Sequence, residues 1–374
     1  MNTSPEAEKP VVVLIGNYLL DRQESMLRFR DLIESRLKAA GYTTESIYPQ
    51  GYFGSMIREG PLAKWLGYID KYLLFPPRLA MLARGYDRVH ICDHSNAVYL
   101  PYAGAAASIT CHDLIAVNAA LGRYPGQSVG RAGRLLQRWI LNALRRAARV
   151  VSVSAKTEDD LRALGWRGAG VVIGNPQNFD FHRVGAEEAA AVKAKHGLGP
   201  DERYLIHVGG NQWYKNRAGV VKIFAELARR EPFKGWRLLM IGKSWPASLR
   251  QLVQDLGLTD RIIEATKASN EDIRALYSGA EALLFPSLEE GFGWPVIEAQ
   301  VCGCPVITSA RSPMLEIAGD AAVFIDPENP AAAANTIEAA IPRLSGLAAK
   351  GLENAHRFDR DKIMDQYAAF LAGR

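Results

Sequence analysis

"RYLIHVGGN", Arg203–Asn211, is an apolar run that breaks off in two glycines and an asparagine. "VVVLIGN", Val11–Asn17, ends in the same way. A helix-period segment follows each: "AGVVKIFAELARR" after the later run and "ESMLRFRDLIESRLKAAG" after the earlier one. Continuous apolar runs read as strands buried on both faces, and their alternation with amphipathic helices is the pattern of a parallel sheet in an α/β layer fold. Further runs extend each half: "RVHICD" (88–93), "SITCHD" (108–113) and "RVVSVS" (149–154), then "RLLMIG" (237–242), "ALLFPS" (282–287) and "PVITS" (305–309). Two Rossmann-like, doubly wound parallel-sheet domains are therefore expected, residues 1–175 and 176–357, with 171–202 as their connection. Ligands of such sheets bind at the carboxyl ends of the strands, and two facing sheets offer a central cleft.

The bulk composition narrows the function classes. At 374 residues the chain is long enough for two ordinary cores, and 48% hydrophobic with 23% charged residues is the composition of a globular protein. No apolar run reaches membrane-spanning length, and the polar opening "MNTSPEAEKP" leads us to expect a cytoplasmic protein. Cys92, Cys111, Cys302 and Cys304 show no metal-binding spacing and read as buried, reduced thiols. Residues 1–175 carry 22 Lys and Arg against 15 Asp and Glu, a net +7 that leaves −2 for the remainder. A basic first half implies an acidic partner such as a phosphate-bearing substrate, a nucleic acid or an anionic membrane surface. Neither glycine turn matches G-x-G-x-x-G, and no G-x-x-x-x-G-K-[ST] loop occurs, which weighs against dehydrogenases and P-loop NTPases.

The chemistry concentrates in "EEGFGWPVIEA", Glu289–Ala299. Pro295 suits the first position of a helix running to about Val301 and stopping at Gly303. A helix N-terminus preceded by glycines is a phosphate site through its backbone N–H groups and partial positive charge. Two carboxylates beside it, Glu290 and Glu298, repel phosphate but accept hydrogen bonds from vicinal hydroxyls. A ligand with hydroxyls on both sides of its phosphates, as in a nucleotide-sugar, satisfies both groups. The bland alternative is a glycine-rich helix entry with two solvated glutamates.

Here the residues resemble a known family. "FPSLEEGFGWPVIEAQVCGCPVITSARSPMLEIAGDAAVFIDPENPAAAANTI" (285–337) is similar to the nucleotide-sugar region of retaining GT-B glycosyltransferases of family 4, with Glu290 and Glu298 as its E-x7-E motif. Weaker similarity runs through "CHDL", "VSVSAKTEDDL" and "VGGNQWYKN" to "ENAHRFDRDKIMDQYAAFL". The resemblance implies a GT-B fold, a C-terminal helix (about 358–374) crossing back onto the first domain, and a nucleoside-diphosphate sugar as co-substrate. It implies that Glu298 binds the nucleotide ribose, that Glu290 contacts donor-sugar hydroxyls, and that Gly291, Phe292 and Gly293 lie along the sugar and phosphates.

Expelling a diphosphate requires stabilisation of growing negative charge. The acidic "TEDDL" (157–161) reads as a capped helix start rather than a metal site, and no metal or other cofactor is expected. Lys215 and Arg217 follow the strand-end turn Gly210–Asn211 and supply fixed cations; read alone, they are a solvated charge cluster. Lys215 matches the family's lysine, whereas Gly210 or Asn211 stands where the family has arginine. The family's histidine falls on His112, for which a hydrogen-bonding role is expected rather than proton transfer. Gly16 lies on the first-strand turn, on the donor side. Asn17, Arg22, His94, Asn96 and Asp113 are acceptor-side candidates. "LAKWLGYIDKYLLFPPRLAMLARG" (62–85) and the arginine-rich "RAGRLLQRWILNALRRAAR" (131–149) each read either as core-packing helices or as membrane-interface segments. The expected function is metal-independent, retaining transfer of a hexose from a UDP- or GDP-sugar to a hydroxyl of a glycan or lipid-linked acceptor. Peripheral membrane association and no nucleic-acid partner are also expected. The alternatives are a GT-B phosphorylase or epimerase acting on nucleotide-sugars, or a non-catalytic nucleotide-sugar binder.

Overall fold

The computed structural model describes residues 10–57 and 60–373. The polar opening segment lies outside them. The chain divides into two units: residues up to Asn178 together with Arg360 onward, and Phe179–Asp359.

Unit 1 is built on six parallel strands, β1 (Val12–Ile15), β2 (Thr44–Ile47), β3 (Arg88–Ile91), β4 (Ser108–Cys111), β5 (Arg149–Ser152) and β6 (Ala169–Val172), in the order β2-β1-β3-β4-β5-β6. Successive side chains of a strand point to opposite faces, so an apolar run feeds two cores at once. Val12 and Leu14 pack with Phe29, Ile33 and Leu37 of the helix Glu24–Ala39, while Val13 and Ile15 join Leu79, Ile140 and Leu144 on the other face. The last helix, Arg360–Ala372, completes the first face with Ile363, Met364, Tyr367 and Leu371. Arg36 of Glu24–Ala39 pairs with Asp365 of this helix, and Arg149 of β5 donates to the Phe370 carbonyl at 2.7 Å.

Unit 2 repeats the plan with β7 (Tyr204–Val208), β8 (Arg237–Ile241), β9 (Ile262–Ala265), β10 (Ala282–Phe285), β11 (Val306–Ser309) and β12 (Ala322–Ile325), ordered β12-β11-β10-β7-β8-β9. Leu205, Leu238, Met240 and Leu284 pack under the helices Arg217–Ala228, Ala247–Asp255 and Pro330–Ala340. Ile206, Leu239 and Leu283, one step along, are equally buried. All four cysteines are buried and free of disulfide.

Two details differ from the sequence-based expectation. The strands β2, β6, β9 and β12 were not foreseen, and they are the four sheet edges. An edge strand is covered on one flank only and need not be a continuous apolar run; β2 reads Thr-Glu-Ser-Ile. Part of β6 therefore occupies the start of the expected connection. The helix near Pro295 begins at Trp294, placing proline second, where its missing N–H still leaves no hydrogen bond unmade.

Candidate active site

Both sheets end their inner strands on polar residues. In unit 2 the glycine turn after β7 closes onto the loop after β8: the Gly209 N–H donates to the Ile241 carbonyl at 3.0 Å. Gly242 has φ +144°, and a Cβ there would sit 2.1 Å from the Gly209 oxygen, so only glycine permits this approach. Asn216 then fixes the next loop in left-handed backbone, φ 52°. Its side chain accepts from Gly219 N–H at 3.2 Å and donates to the Pro286 and Pro327 carbonyls, each at 3.0 Å. Three loops are thereby tied to one amide.

That scaffold carries Lys215 to Glu290. The Lys215 Nζ lies 2.7 Å from Glu290 Oε1, in a pair whose carboxylate is only 7% exposed. The Phe285 and Tyr214 rings flank the ammonium, at 5.2 and 5.6 Å from their centroids. Glu290, Gly291, Phe292 and Gly293 lead into the helix Trp294–Val301, whose cap Gly293 has φ +101°. Glu298 lies on that helix, 7% exposed, with the Tyr277 hydroxyl 3.5 Å away. Burial, reinforced by Glu298, raises the Tyr277 phenol well above its ordinary range, so it stays a donor.

Arg217 occupies a different position from Lys215. Its guanidinium is buried, donates to Asn211 Oδ1 and reaches the Lys243 carbonyl at 2.8 Å. Burial lowers its pKa against the pull of Glu264, and its Nε and second terminal nitrogen make no hydrogen bond. Arg217 thus braces the Gly210–Asn211 turn against the loop after β8.

In unit 1 a buried carboxylate organises the strand ends. Asp93, after β3, accepts from Asn17 Nδ2 at 2.5 Å, Ser95 N–H at 2.9 Å and Ser95 Oγ at 2.8 Å. His94 Nδ1 is 3.3 Å away, and Asn96 donates to Asn17 Oδ1 at 3.0 Å. Burial opposes the Asp93 charge, yet His94, His112 and these donors together hold its pKa below the usual carboxylate value. His112 Nε2 is 3.0 Å from the Cys92 carbonyl, which can only accept, so Nε2 carries the proton and Nδ1 keeps its lone pair. That Nδ1 is buried without a hydrogen-bond partner. Burial lowers the ring's pKa despite Asp93, leaving a neutral imidazole packed edge-on against Phe29.

The remaining candidates stand apart from these clusters. Asp113 Oδ1 accepts from Ile115 N–H at 2.9 Å and starts the helix Ile115–Ala120. Arg22 is exposed in left-handed backbone, and Gly16 backs onto the Arg30 side chain. Asp93, Tyr277 and Asn216 were not singled out from the sequence. Asp93 closes the run "RVHICD" beside the candidates His94 and Asn96, which is the one signal for it; nothing local marks a tyrosine as lying beneath a glutamate 21 residues later.

Two family models match this chain: "Glycosyl transferases group 1" over residues 189–344 and "Glycosyltransferase Family 4" over 35–180. The chain belongs to glycosyltransferase family 4. The family 4 chain is 26% identical over 333 residues to O-antigen chain mannosyltransferase B of Escherichia coli, covering 84% of this chain and 83% of that protein. It is 28% identical over 212 residues to D-inositol 3-phosphate glycosyltransferase of Segniliparus rotundus, covering 53% of this chain and 47% of that one. It thus spans about half the length, or less, of several curated relatives it matches. Its GT-B fold is shared with sucrose-phosphate synthase of Thermosynechococcus elongatus, at a TM-score of 0.76 and 21% identity over 97% of this chain and 98% of that one. Among the described residues no helix is long and apolar enough to cross a membrane.

Proposed function

We propose that this family 4 chain is a retaining, metal-independent glycosyltransferase. It moves a hexose from a UDP- or GDP-sugar to a hydroxyl of a glycan or lipid-linked acceptor in bacterial polysaccharide or glycolipid synthesis. The supporting observation is the Lys215–Glu290 pair, a cation and a carboxylate held 2.7 Å apart beside the Trp294–Val301 helix. As the bond between the sugar's anomeric carbon and the diphosphate oxygen breaks, the electron pair passes to that oxygen. Lys215 and the helix N-terminus stabilise the charge. The acceptor oxygen bonds to the anomeric carbon from the same face, and its proton passes to the departing phosphate.

Glu290 accepts from donor-sugar hydroxyls and Glu298 from the ribose; neither contact needs a proton to move. The neutral His112 fits hydrogen bonding to a substrate hydroxyl. O-antigen mannosyl transfer and inositol-phosphate glycosylation, named in the relatives, fit the same reaction class. Isothermal calorimetry with UDP, GDP and ADP tests the reading: saturable binding by one of them is expected. Absence of binding at millimolar ligand removes the proposal. Turnover unchanged by EDTA is expected; complete loss that added metal rescues refutes metal independence.

A further inference from the structure

Apolar exposure is distributed unevenly over the chain. Of the sixteen large apolar side chains exposed among the described residues, fourteen lie in unit 1. A groove of about 620 Å³ runs between the helices Pro61–Ile69 and Arg131–Leu144. Its wall is an aromatic row: Trp65 contacts Tyr68 at 5.7 Å, Tyr68 contacts Tyr72 at 5.4 Å, and Tyr72 contacts Trp139 at 5.4 Å between ring centroids. Trp65 is 60% exposed, Leu135 72% and Trp139 42%. Side chains of this size are rarely left in water together unless something covers them.

The charge around the groove says what covers it. Residues 114–157 contain seven arginines and one lysine and no aspartate or glutamate. Arg131, Arg134 and Arg138 recur at helical spacing and are exposed alongside Leu135 and Trp139. The acid of the other helix segment, Asp70, is buried and engaged by Tyr18, Phe53 and Gly54. A second copy docked by two-fold symmetry sets this arginine face against itself, like charge on like charge. An anionic bilayer has the opposite preference: tryptophan and leucine enter the boundary of headgroups and acyl chains, and arginines meet the phosphates.

We propose that the groove and its arginine face dock unit 1 onto an anionic membrane surface. The surface holds the chain where lipid-linked hydroxyls are presented, but docking does not depend on the donor chemistry.

Co-sedimentation of the full chain with vesicles tests it. Retention is expected on phosphatidylcholine mixed with phosphatidylglycerol, falling as salt is raised, and not on phosphatidylcholine alone. Arg134→Gln with Arg138→Gln lowers partitioning about five-fold per arginine, from the roughly 1 kcal/mol that each basic residue contributes near such a surface. Leu135→Ser with Trp139→Ala lowers it as well; calorimetry with the nucleoside diphosphate that the wild type binds confirms that the variants remain folded. Equal retention on both vesicle types, retention on neither, or unchanged retention of both double variants overturns the proposal. So does a wild-type dimer, seen by ultracentrifugation, that Leu135→Ser with Trp139→Ala abolishes while vesicle retention persists. A chain that binds no nucleoside diphosphate yet sediments with the anionic vesicles refutes the transferase reading and leaves this surface standing.

Discussion

Lys215 and Glu290 lie 75 residues apart in sequence and 2.7 Å apart in space, in a pair where charge is shielded from water. Lys215→Ala removes the proposed counter-charge for the leaving diphosphate, and kcat should fall about 10²–10³-fold. It also strands a buried carboxylate, which costs about 3 kcal/mol. The double variant Lys215→Ala with Glu290→Ala therefore regains part of that stability while remaining inactive. Thermal melts beside initial rates separate the two effects, and a double variant no more stable than Lys215→Ala contradicts this account. Glu290→Ala should abolish transfer with nucleotide affinity intact, whereas Glu298→Ala should weaken nucleotide binding itself; calorimetry on both variants decides. Both residues of the pair were legible as candidates because lysine after a glycine turn and glutamate before a helix are local patterns. Their contact was not, because it depends on the loop after β10 meeting the loop after β7.

At the scale of elements, two glycines set loop geometry in unit 2 for different reasons. A Cβ on Gly293 would come 2.4 Å from Met314 Cε, the far end of a flexible side chain, whereas one on Gly242 would come 2.1 Å from a backbone oxygen. Both residues also have φ in the left-handed half of the map, +101° and +144°. Gly242→Ala is accordingly expected to lower the melting temperature more than Gly293→Ala, which loses about 1–2 kcal/mol from φ strain with room for Met314 to move. Equal losses would show that backbone contact between the two loops is unimportant. The inner strands were readable because both their faces are buried and the run is uniformly apolar. Two of the edge strands, β2 and β6, were not, because part of their surroundings is solvent: β2 reads Thr-Glu-Ser-Ile and β6, Ala-Gly-Val-Val, is largely exposed. The other two, β9 and β12, are mostly buried runs of four residues, too short for periodicity to separate strand from helix.

The whole molecule carries a buried histidine in each sheet. Burial lowers the pKa of His90 and of His207 from 6.5 to about 3. His90 sits between the Ser108 and Thr110 hydroxyls at 2.8 and 2.9 Å, and His207 lies 3.0 Å from the Leu284 carbonyl. Because the folded pKa is below the unfolded one, the unfolded chain binds more protons in the interval between them. Their contribution to stability is complete above about pH 6.5 and is lost as pH falls toward about 3. Urea denaturation across this range should show the decline, and His90→Gln should make it shallower. A slope unaltered by that substitution excludes His90 as a source.

By itself the sequence determined two α/β units with buried central strands, the glycine turns at their ends and a strongly basic first half, because periodicity, turn chemistry and charge are local properties. The E-x7-E spacing is local too, and it carries the resemblance to family 4. Tertiary structure decided the strand order, the edges, and which polar groups meet: Lys215 with Glu290, Tyr277 with Glu298, and Asp93 with Asn17 and Ser95. It also turned the Trp65–Trp139 aromatic row outward. Most of those encounters are between groups distant in sequence, and the alignment of parallel strands selects them, which no single stretch of chain encodes.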